Sequence, residues 1–284
     1  NDIEKIDNDN QLRHGLAEFK ESLIDSFLFQ MELTDTSQYL VKEDDFKVDM
    51  KPESTKNRIG NAIITYFIQE IVGKAPKKCF RIQYYGNTKE FKQEVVLLAT
   101  LKNPAIVPFI GFNVERKNDF IYYEYLKNGF LDEYIEKIKK DDWIPTKRLI
   151  IAYGIAYVMK YLHDCHVVHR DLRPENVCLN DEYYPYIFNF FSAKQIDKKG
   201  KSKLLHETSL RFMAPEFIEN PALCQNSFKL DVYSYGMLLY NMVTGIKPFE
   251  SYDKKYELMN AIVSGERPEF PYYIFTEWKE LISK

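Results

Sequence analysis

The sequence predicts an α+β fold of two lobes, a small β-rich N-lobe with one helix followed by a larger helical C-lobe. Short segments rich in β-branched and aromatic residues run from Ile59 to about Tyr125, and one helical stretch interrupts them. From Leu131 onward, apolar residues recur at three- and four-residue spacing, which is typical of helices. The 284 residues, 45% of them hydrophobic, are enough to form two lobes around a common core.

An amphipathic helix is predicted ahead of the two lobes. In residues 11–31, apolar side chains recur mostly at helical spacing, and a polar connection that contains Pro52 follows. We therefore assign residues 1–45 to an N-terminal helical extension, residues 46–126 to the N-lobe and residues 127–284 to the C-lobe.

Three further helices are indicated by their apolar periodicity. "TKEFKQEVVLLATLK" at residues 88–102 is the predicted N-lobe helix. "KRLIIAYGIAYVMKYLHD" at residues 147–164 and "LDVYSYGMLLYNMVTG" at residues 230–245 are the long helices of the C-lobe. A β-rich lobe that meets a helical lobe forms a cleft, and clefts between lobes are common ligand sites.

Composition argues against several classes of partner. The formal net charge of −3 gives no general attraction to nucleic acid, and no apolar run reaches the length of a membrane span. The polar first residues do not resemble a secretory signal, and the four cysteines lack metal-ligand spacing. We expect no nucleic-acid partner, no membrane span and a cytoplasmic location with reduced thiols.

The most specific motif is "HRDLRPEN" at residues 169–176. It resembles the catalytic loop of the eukaryotic protein kinase family, and "MAPE" at 213–216 and "DVYSYG" at 231–236 follow in the family's order. The resemblance covers most of the chain from about Phe46 and implies a bilobal protein-kinase-like fold. "RPEN", and Ser209 ahead of "LRFMAPE", are more similar to serine/threonine kinases than to tyrosine kinases; "FKQEVVLLATLKNPAIVPFIGF" and "EYLKNGFL" resemble the tyrosine-kinase-like branch.

The resemblance assigns catalytic positions to Asp171, Arg173 and Asn176, of which Asp171 is the base and Asn176 a metal ligand. The family's metal-binding aspartate is replaced by Asn189. Mg²⁺ favours anionic oxygen ligands beside phosphates, and an amide supplies one neutral oxygen. A metal site at Asn176 and Asn189 is therefore expected to be weak or absent, and Phe191, in place of a glycine, is expected to plug the cleft.

The nucleotide-binding positions are also degenerate. In the phosphate-binding hairpin "GNAIITYF", Gly60 is kept, whereas Ala62 and Thr65 replace glycines that let backbone N–H groups approach the phosphates. Glu94 matches the helix glutamate that pairs with the ATP-binding lysine. The register of "KKCFRIQYY" leaves either Arg81 or Gln83 at the lysine position, and alternation puts both on one face.

Tyr123 is predicted at the back of the adenine pocket, where its ring narrows the space, and Glu124 and Tyr125 follow it along the same segment. Arg81 has two alternative roles. If Arg81 is at the lysine position, it pairs with Glu94. If Gln83 is at the lysine position, Arg81 replaces the small residue above adenine and obstructs the site. We expect no ATP binding, or weak binding only.

Four residues are candidates for regulation: Arg170, Ser202, Thr208 and Ser209. A phosphate on the lysine-rich segment that carries Ser202, Thr208 and Ser209 would pair with Arg170, which alternatively pairs with an acidic neighbour.

Three functions remain open at this point. The first is a pseudokinase that acts as a protein-binding scaffold or regulator in signalling, with other proteins as partners and the N-terminal helix as a contact surface. The second is an atypical active serine/threonine kinase in which Lys74, Lys77 or Lys78 reaches the phosphates. The third is a nucleotide-binding switch without catalysis. Compared with the family pattern, the C-lobe is expected to be shortened at its end.

Overall fold

The computed structural model describes residues 39–41, 46–48, 57–59, 62–71, 78–85, 89–114, 118–137, 145–196, 207–224 and 226–284. The amphipathic helix predicted in residues 11–31 lies outside these residues.

The N-lobe is an antiparallel sheet in the order β1-β3-β4-β6-β5, with β2 paired to β3. Successive side chains of each strand point to opposite faces of the sheet, and one face of β4 and β6 lines the core. The strands are β1 (Phe46–Val48), β2 (Asn57–Ile59), β3 (Ala62–Ile71), β4 (Lys78–Tyr85), β5 (Phe109–Val114) and β6 (Asn118–Glu124).

Helix α1 (Lys89–Thr100) lies against this sheet and confirms the helix predicted at residues 88–102. Phe91, Val95 and Leu98 are buried at helical spacing, so the helix turns one apolar stripe toward the core. Glu94 lies on the buried side as well, and its side chain is held inside the lobe.

The C-lobe is helical, and its two long helices confirm the sequence prediction. Helix α6 ends at Gly245, whose left-handed φ of 72° closes the last turn through its N–H bonded to Asn241 O. The helices are α2 (Leu131–Lys137), α3 (Pro145–Asp164), α4 (Pro215–Glu219), α5 (Pro221–Cys224), α6 (Lys229–Thr244), α7 (Lys255–Val263) and α8 (Thr276–Ser283).

Two small antiparallel pairs lie between the lobes and carry the loops of the cleft. Strand β7 (Val167–Val168) pairs with β10 (Lys194–Gln195), and β8 (Val177–Leu179) pairs with β9 (Pro185–Ile187). The catalytic-loop residues follow β7, and Asn189 follows β9. The pairing therefore brings segments that are distant in sequence to one place.

The predicted boundary after residue 45 does not match the described structure. Leu40 forms a parallel bridge with Phe112, and the N–H of Val41 donates to Phe112 O at 3.0 Å. Residues 39–41, which the sequence assigned to the extension, thus pair with strand β5 of the N-lobe.

The four cysteines form no disulfide, and Cys79 and Cys178 are buried. In the part of the chain that the structure describes, none of the helices has both the length and the apolar character needed to cross a bilayer.

Candidate functional site

The catalytic loop is fixed to helix α6 by a buried carboxylate. Asp231, 1% exposed, accepts hydrogen bonds from the N–H groups of His169 at 2.9 Å and Arg170 at 2.8 Å. Its Oδ2 also lies 2.9 Å from Nε2 of His163. Arg170 has a φ of 63°, an uncommon left-handed conformation for an arginine, which these contacts maintain.

The predicted catalytic residues meet in one buried network. The amide nitrogen of Asn176 donates to Asp171 Oδ2 at 2.9 Å and to Asp171 O at 2.6 Å. The guanidinium of Arg173 lies 3.3 Å from the other carboxylate oxygen of Asp171 and 3.5 Å from Glu175. The structure thus brings Asp171, Arg173 and Asn176 together.

Asn189 bonds to the other predicted metal ligand. Its amide nitrogen donates to Asn176 Oδ1 at 3.0 Å, and both side chains are buried. The φ of Asn189 is 63°, a conformation that asparagine tolerates better than most residues.

Neither Asn176 nor Asn189 supplies an anionic oxygen at the predicted metal position. The Asn176 oxygen that would face a cation instead accepts a hydrogen bond from Asn189, which itself supplies no carboxylate. Across the described residues, no three His, Cys, Asp or Glu side chains form a group that could hold a metal ion.

Glu94 is fully buried, and uncharged donors surround it. Its carboxylate accepts a hydrogen bond from the Tyr84 hydroxyl, another from the Tyr123 hydroxyl at 2.7 Å, and a third from the Phe190 N–H at 2.9 Å. These bonds tie helix α1 to two strands of the sheet and to the segment that follows Asn189.

Burial raises the pKa of Glu94, and the three hydrogen bonds partly offset this shift. The pKa values of Tyr84 and Tyr123 are raised strongly, first by burial and then by the charge of Glu94. The two hydroxyls therefore keep their protons and remain donors to the carboxylate.

The structure corrects the predicted register of β4. Phe80, Ile82 and Tyr84 face the core beneath the sheet, whereas Arg81 and Gln83 lie on the opposite face. The Arg81 guanidinium stacks over the Phe120 ring, 4.5 Å from its centroid. Neither proposed replacement for the lysine points toward Glu94, and the predicted Arg81–Glu94 pair does not form.

Tyr84 is the functional residue that the prediction missed, and a signal for it was present. In "FRIQY", apolar and polar residues alternate, which places the aromatic and aliphatic side chains toward the core.

Aromatic side chains fill the space beneath β4 and β6. Phe191 stacks on Tyr84 with ring centroids 5.6 Å apart, and this contact joins the segment after Asn189 to the sheet. Phe80 packs against Tyr123 at 5.2 Å, Phe188 at 5.6 Å and Phe130 at 5.8 Å. Phe80, Tyr123 and Phe188 are at most 3% exposed, so they form a closed apolar cluster.

The remaining predicted nucleotide-site residues are only partly described. Gly60 lies outside the described residues, and Ala62 begins strand β3, where its backbone pairs with Tyr84. Glu124 ends β6 and donates its N–H to Pro108 O at 3.0 Å, and Tyr125 follows it.

Among the predicted regulatory residues, the Arg170 side chain is described in full. Its Nε donates to Ser192 O at 2.6 Å, and burial lowers the pKa of the guanidinium to about 10. Ser202 lies outside the described residues, whereas Thr208 and Ser209 have a described backbone in the 3₁₀ turn Glu207–Phe212.

Comparison with known proteins gives the same family as the geometry. Residues 75–284 match the family of protein tyrosine and serine/threonine kinases. The chain belongs to this family. Relatives include the cysteine-rich receptor-like protein kinase 10 of Oryza sativa subsp. japonica, 36% identical over 172 residues that make up 58% of this chain and 26% of the relative.

The serine/threonine-protein kinase VIK of Arabidopsis thaliana is 35% identical over 64% of this chain and 42% of its own length. The dual specificity protein kinase shkB of Dictyostelium discoideum is 29% identical over 83% of this chain and 40% of its own length. The chain thus spans well under half the length of these relatives.

Proposed function

We propose that this kinase-family domain is a pseudokinase, a catalytically impaired scaffold or regulator that acts on other proteins in cytoplasmic signalling. The observation that carries the proposal is the hydrogen bond between Asn189 and Asn176. It occupies the Asn176 side-chain oxygen with a donor from Asn189, and position 189 supplies no carboxylate. Phosphoryl transfer depends chiefly on positioning and charge stabilisation, in which the metal is central.

A second observation supports the same proposal from the nucleotide side. The Tyr84 hydroxyl occupies the place of a cationic partner on Glu94, and the Phe191 ring lies against Tyr84. A neutral hydroxyl offers no positive charge to phosphates, and Phe80 and Tyr123 add bulk to the apolar cluster under the sheet.

The intact frame supports a scaffold role. Asp231 holds the catalytic loop, Glu94 bonds to the Phe190 N–H, and the Phe190 ring contacts His169 at 5.3 Å. These contacts link both lobes through protein groups alone. A domain held in this way presents a fixed surface to partners without the need for a nucleotide to order it.

One observation favours the alternative of an active serine/threonine kinase. Asp171, Arg173 and Asn176 lie together as a catalytic base, a cation and an amide would in an active loop. Direct measurement of phosphoryl transfer distinguishes the two proposals.

The test incubates the full chain with γ-labelled ATP, Mg²⁺ or Mn²⁺, and a mixture of serine- and threonine-containing peptides. The proposal predicts that labelling of the chain and of the peptides equals that of the Asp171→Ala variant, which lacks the base. Transfer by the wild-type chain that disappears in Asp171→Ala contradicts the pseudokinase proposal.

A further inference from the structure

Outside the cleft, the segment Tyr39–Val41 is bound along the outer edge of the N-lobe sheet. We call it the strap. The Val41 N–H donates to Phe112 O at 3.0 Å, and the side-chain nitrogen Nδ2 of Asn113 donates to Val41 O at 3.2 Å. Main-chain pairing with an edge strand is how extended peptides add to sheets.

Side chains of the strap fit the surface beneath them. The Tyr39 ring lies 4.9 Å from that of Phe109, and Val41 packs on a small apolar cluster that includes Cys79 and Tyr122. Leu40, between them, is 57% exposed. This alternation of inward and outward side chains is that of a strand with one buried face.

Gly111 makes room for the strap. A Cβ built on Gly111 would collide with the Tyr39 carbonyl oxygen and would lie 2.9 Å from Val41 Cγ1. The glycines of the described chain with positive φ are Gly129, Gly245 and Gly265, so the backbone conformation of Gly111 does not require a glycine. The close approach of the strap explains why position 111 is a glycine.

The strap also connects to helix α1. The backbone oxygen of Phe112 holds Val41, while the Phe112 ring packs on Phe91 of α1 with centroids 6.4 Å apart. Phe91 lies three residues before Glu94, on the same buried side of the helix. One residue, Phe112, thus contacts both the strap and the helix that carries the buried glutamate.

From these contacts we infer that the edge of strand β5 is a strand-addition site, shaped by Gly111 for residues 39–41 of the same chain. The bound strap couples the N-terminal part of the chain to helix α1. Among the described residues, the strap is held by two hydrogen bonds, one ring pair and the packing of Val41. The inference does not depend on whether the domain transfers phosphate.

The test is hydrogen exchange of the full-length wild-type chain, of Gly111→Val and of Gly236→Ala. Gly111→Val places a branched side chain in the strap's path, and we expect exchange of the Val41 N–H, which donates to Phe112 O, to accelerate at least tenfold. Exchange in α1 should accelerate less, as the helix loses one support. Gly236→Ala is the control, because its Cβ would be 3.5 Å from Ile282 O, an ordinary contact.

A second variant addresses the case in which Gly111→Val does not fold. Val41→Pro removes the strap's N–H donor from an edge position, and it should accelerate exchange in α1 while leaving α6 unchanged. Wild-type protection of the Val41 N–H in a folded Gly111→Val, or wild-type exchange of α1 in Val41→Pro, would overturn the inference.

Two further results would also overturn the inference. Release of the strap with unchanged exchange in α1 would overturn the coupling. A wild-type dimer that becomes a monomer in Gly111→Val would show that a second copy donates the strap, contrary to the proposed connection within one chain.

Discussion

At the scale of single residues, the Glu94 carboxyl group is surrounded by uncharged hydrogen-bond donors. A buried carboxylate beside a cation is held ionised, whereas Glu94 receives two hydroxyls and one N–H. Burial then dominates, and its pKa rises. The Glu94 carboxyl group is thus stabilised by hydrogen-bond donors of the protein itself.

Removal of one hydrogen-bond donor to Glu94 should destabilise the folded protein. Tyr84→Phe keeps the ring that stacks on Phe191 but leaves Glu94 with two donors, and we expect the free energy of unfolding to fall by about 1 to 3 kcal/mol. Urea unfolding measures this. Tyr184→Phe, at a tyrosine that is 49% exposed, is the control and should stay within about 0.5 kcal/mol of the wild type. Equal losses in the two variants would contradict the role of Tyr84.

The raised pKa of Glu94 predicts a pH dependence with a defined sign. Because the folded chain holds this proton more tightly than the unfolded chain, the contribution of Glu94 is complete below the ordinary pKa of 4.5 and decreases as pH rises through the folded value. Glutamine does not titrate. The stability of the wild type minus that of Glu94→Gln should therefore decrease from pH 4.5 upward.

Denaturant unfolding at a series of pH values checks this difference. Asp132, whose pKa burial raises to about 6, titrates in both proteins and cancels from the comparison. A difference that increases with pH would mean that Glu94 is stabilised as an anion, contrary to the uncharged surroundings described above.

Asn189→Asp tests the metal position. Asparagine and aspartate both tolerate the left-handed backbone at this site, so the change restores a carboxylate without new backbone strain. We expect Asn189→Asp to be less stable than wild type without metal, because it loses the bond to Asn176 and adds a charge near Asp171. Millimolar Mg²⁺ should raise its melting temperature by several degrees.

Asn189→Ala is the matched control, since it loses the same hydrogen bond without gaining a carboxylate and should not respond to Mg²⁺. A wild-type chain that responds to Mg²⁺ as strongly as Asn189→Asp would show that the asparagine already binds metal.

At the scale of elements, the segment after β9 is joined to the sheet by an aromatic contact. Phe191→Ala removes the stack on Tyr84, and we expect a loss of about 1 to 3 kcal/mol in stability. Phe275→Ala, at a ring that is 70% exposed, serves as the control. If the two variants lose the same stability, Phe191 does not link the lobes.

The sequence predicted the elements and the catalytic loop because their signals are local. The periodicity of α1, α3 and α6 and the letters of "HRDLRPEN" each lie within one segment. The structure places Asp171, Arg173 and Asn176 of this motif in one buried network.

The facing of β4 and the position of the strap were not predicted, for different reasons. A shift of one residue along a strand moves every side chain to the opposite face of the sheet. Placing Arg81 or Gln83 on the face toward Glu94 therefore put Tyr84 on the wrong face. The strap is three residues long, which is too short to show a hydrophobic periodicity. The isolated Gly111 inside a strand was its one sequence signal, since such a glycine indicates close approach of another backbone.

At the scale of the whole molecule, the two lobes share one continuous core. Residues of α1, β4, β6 and β9 join those of α3 and α6 in a single buried cluster, and the aromatic rings around Phe188 occupy its centre. Side chains of the two lobes are therefore in direct contact.

The most direct test of this account is the melting temperature of the full chain with and without millimolar ATP, each with and without Mg²⁺ or Mn²⁺. A ligand at a hundred times its dissociation constant stabilises a protein by about 2.7 kcal/mol, or roughly 5 to 10 °C for a domain of this size. The account predicts no shift under any of these conditions. A shift that requires both ATP and metal would contradict it and would favour an active kinase.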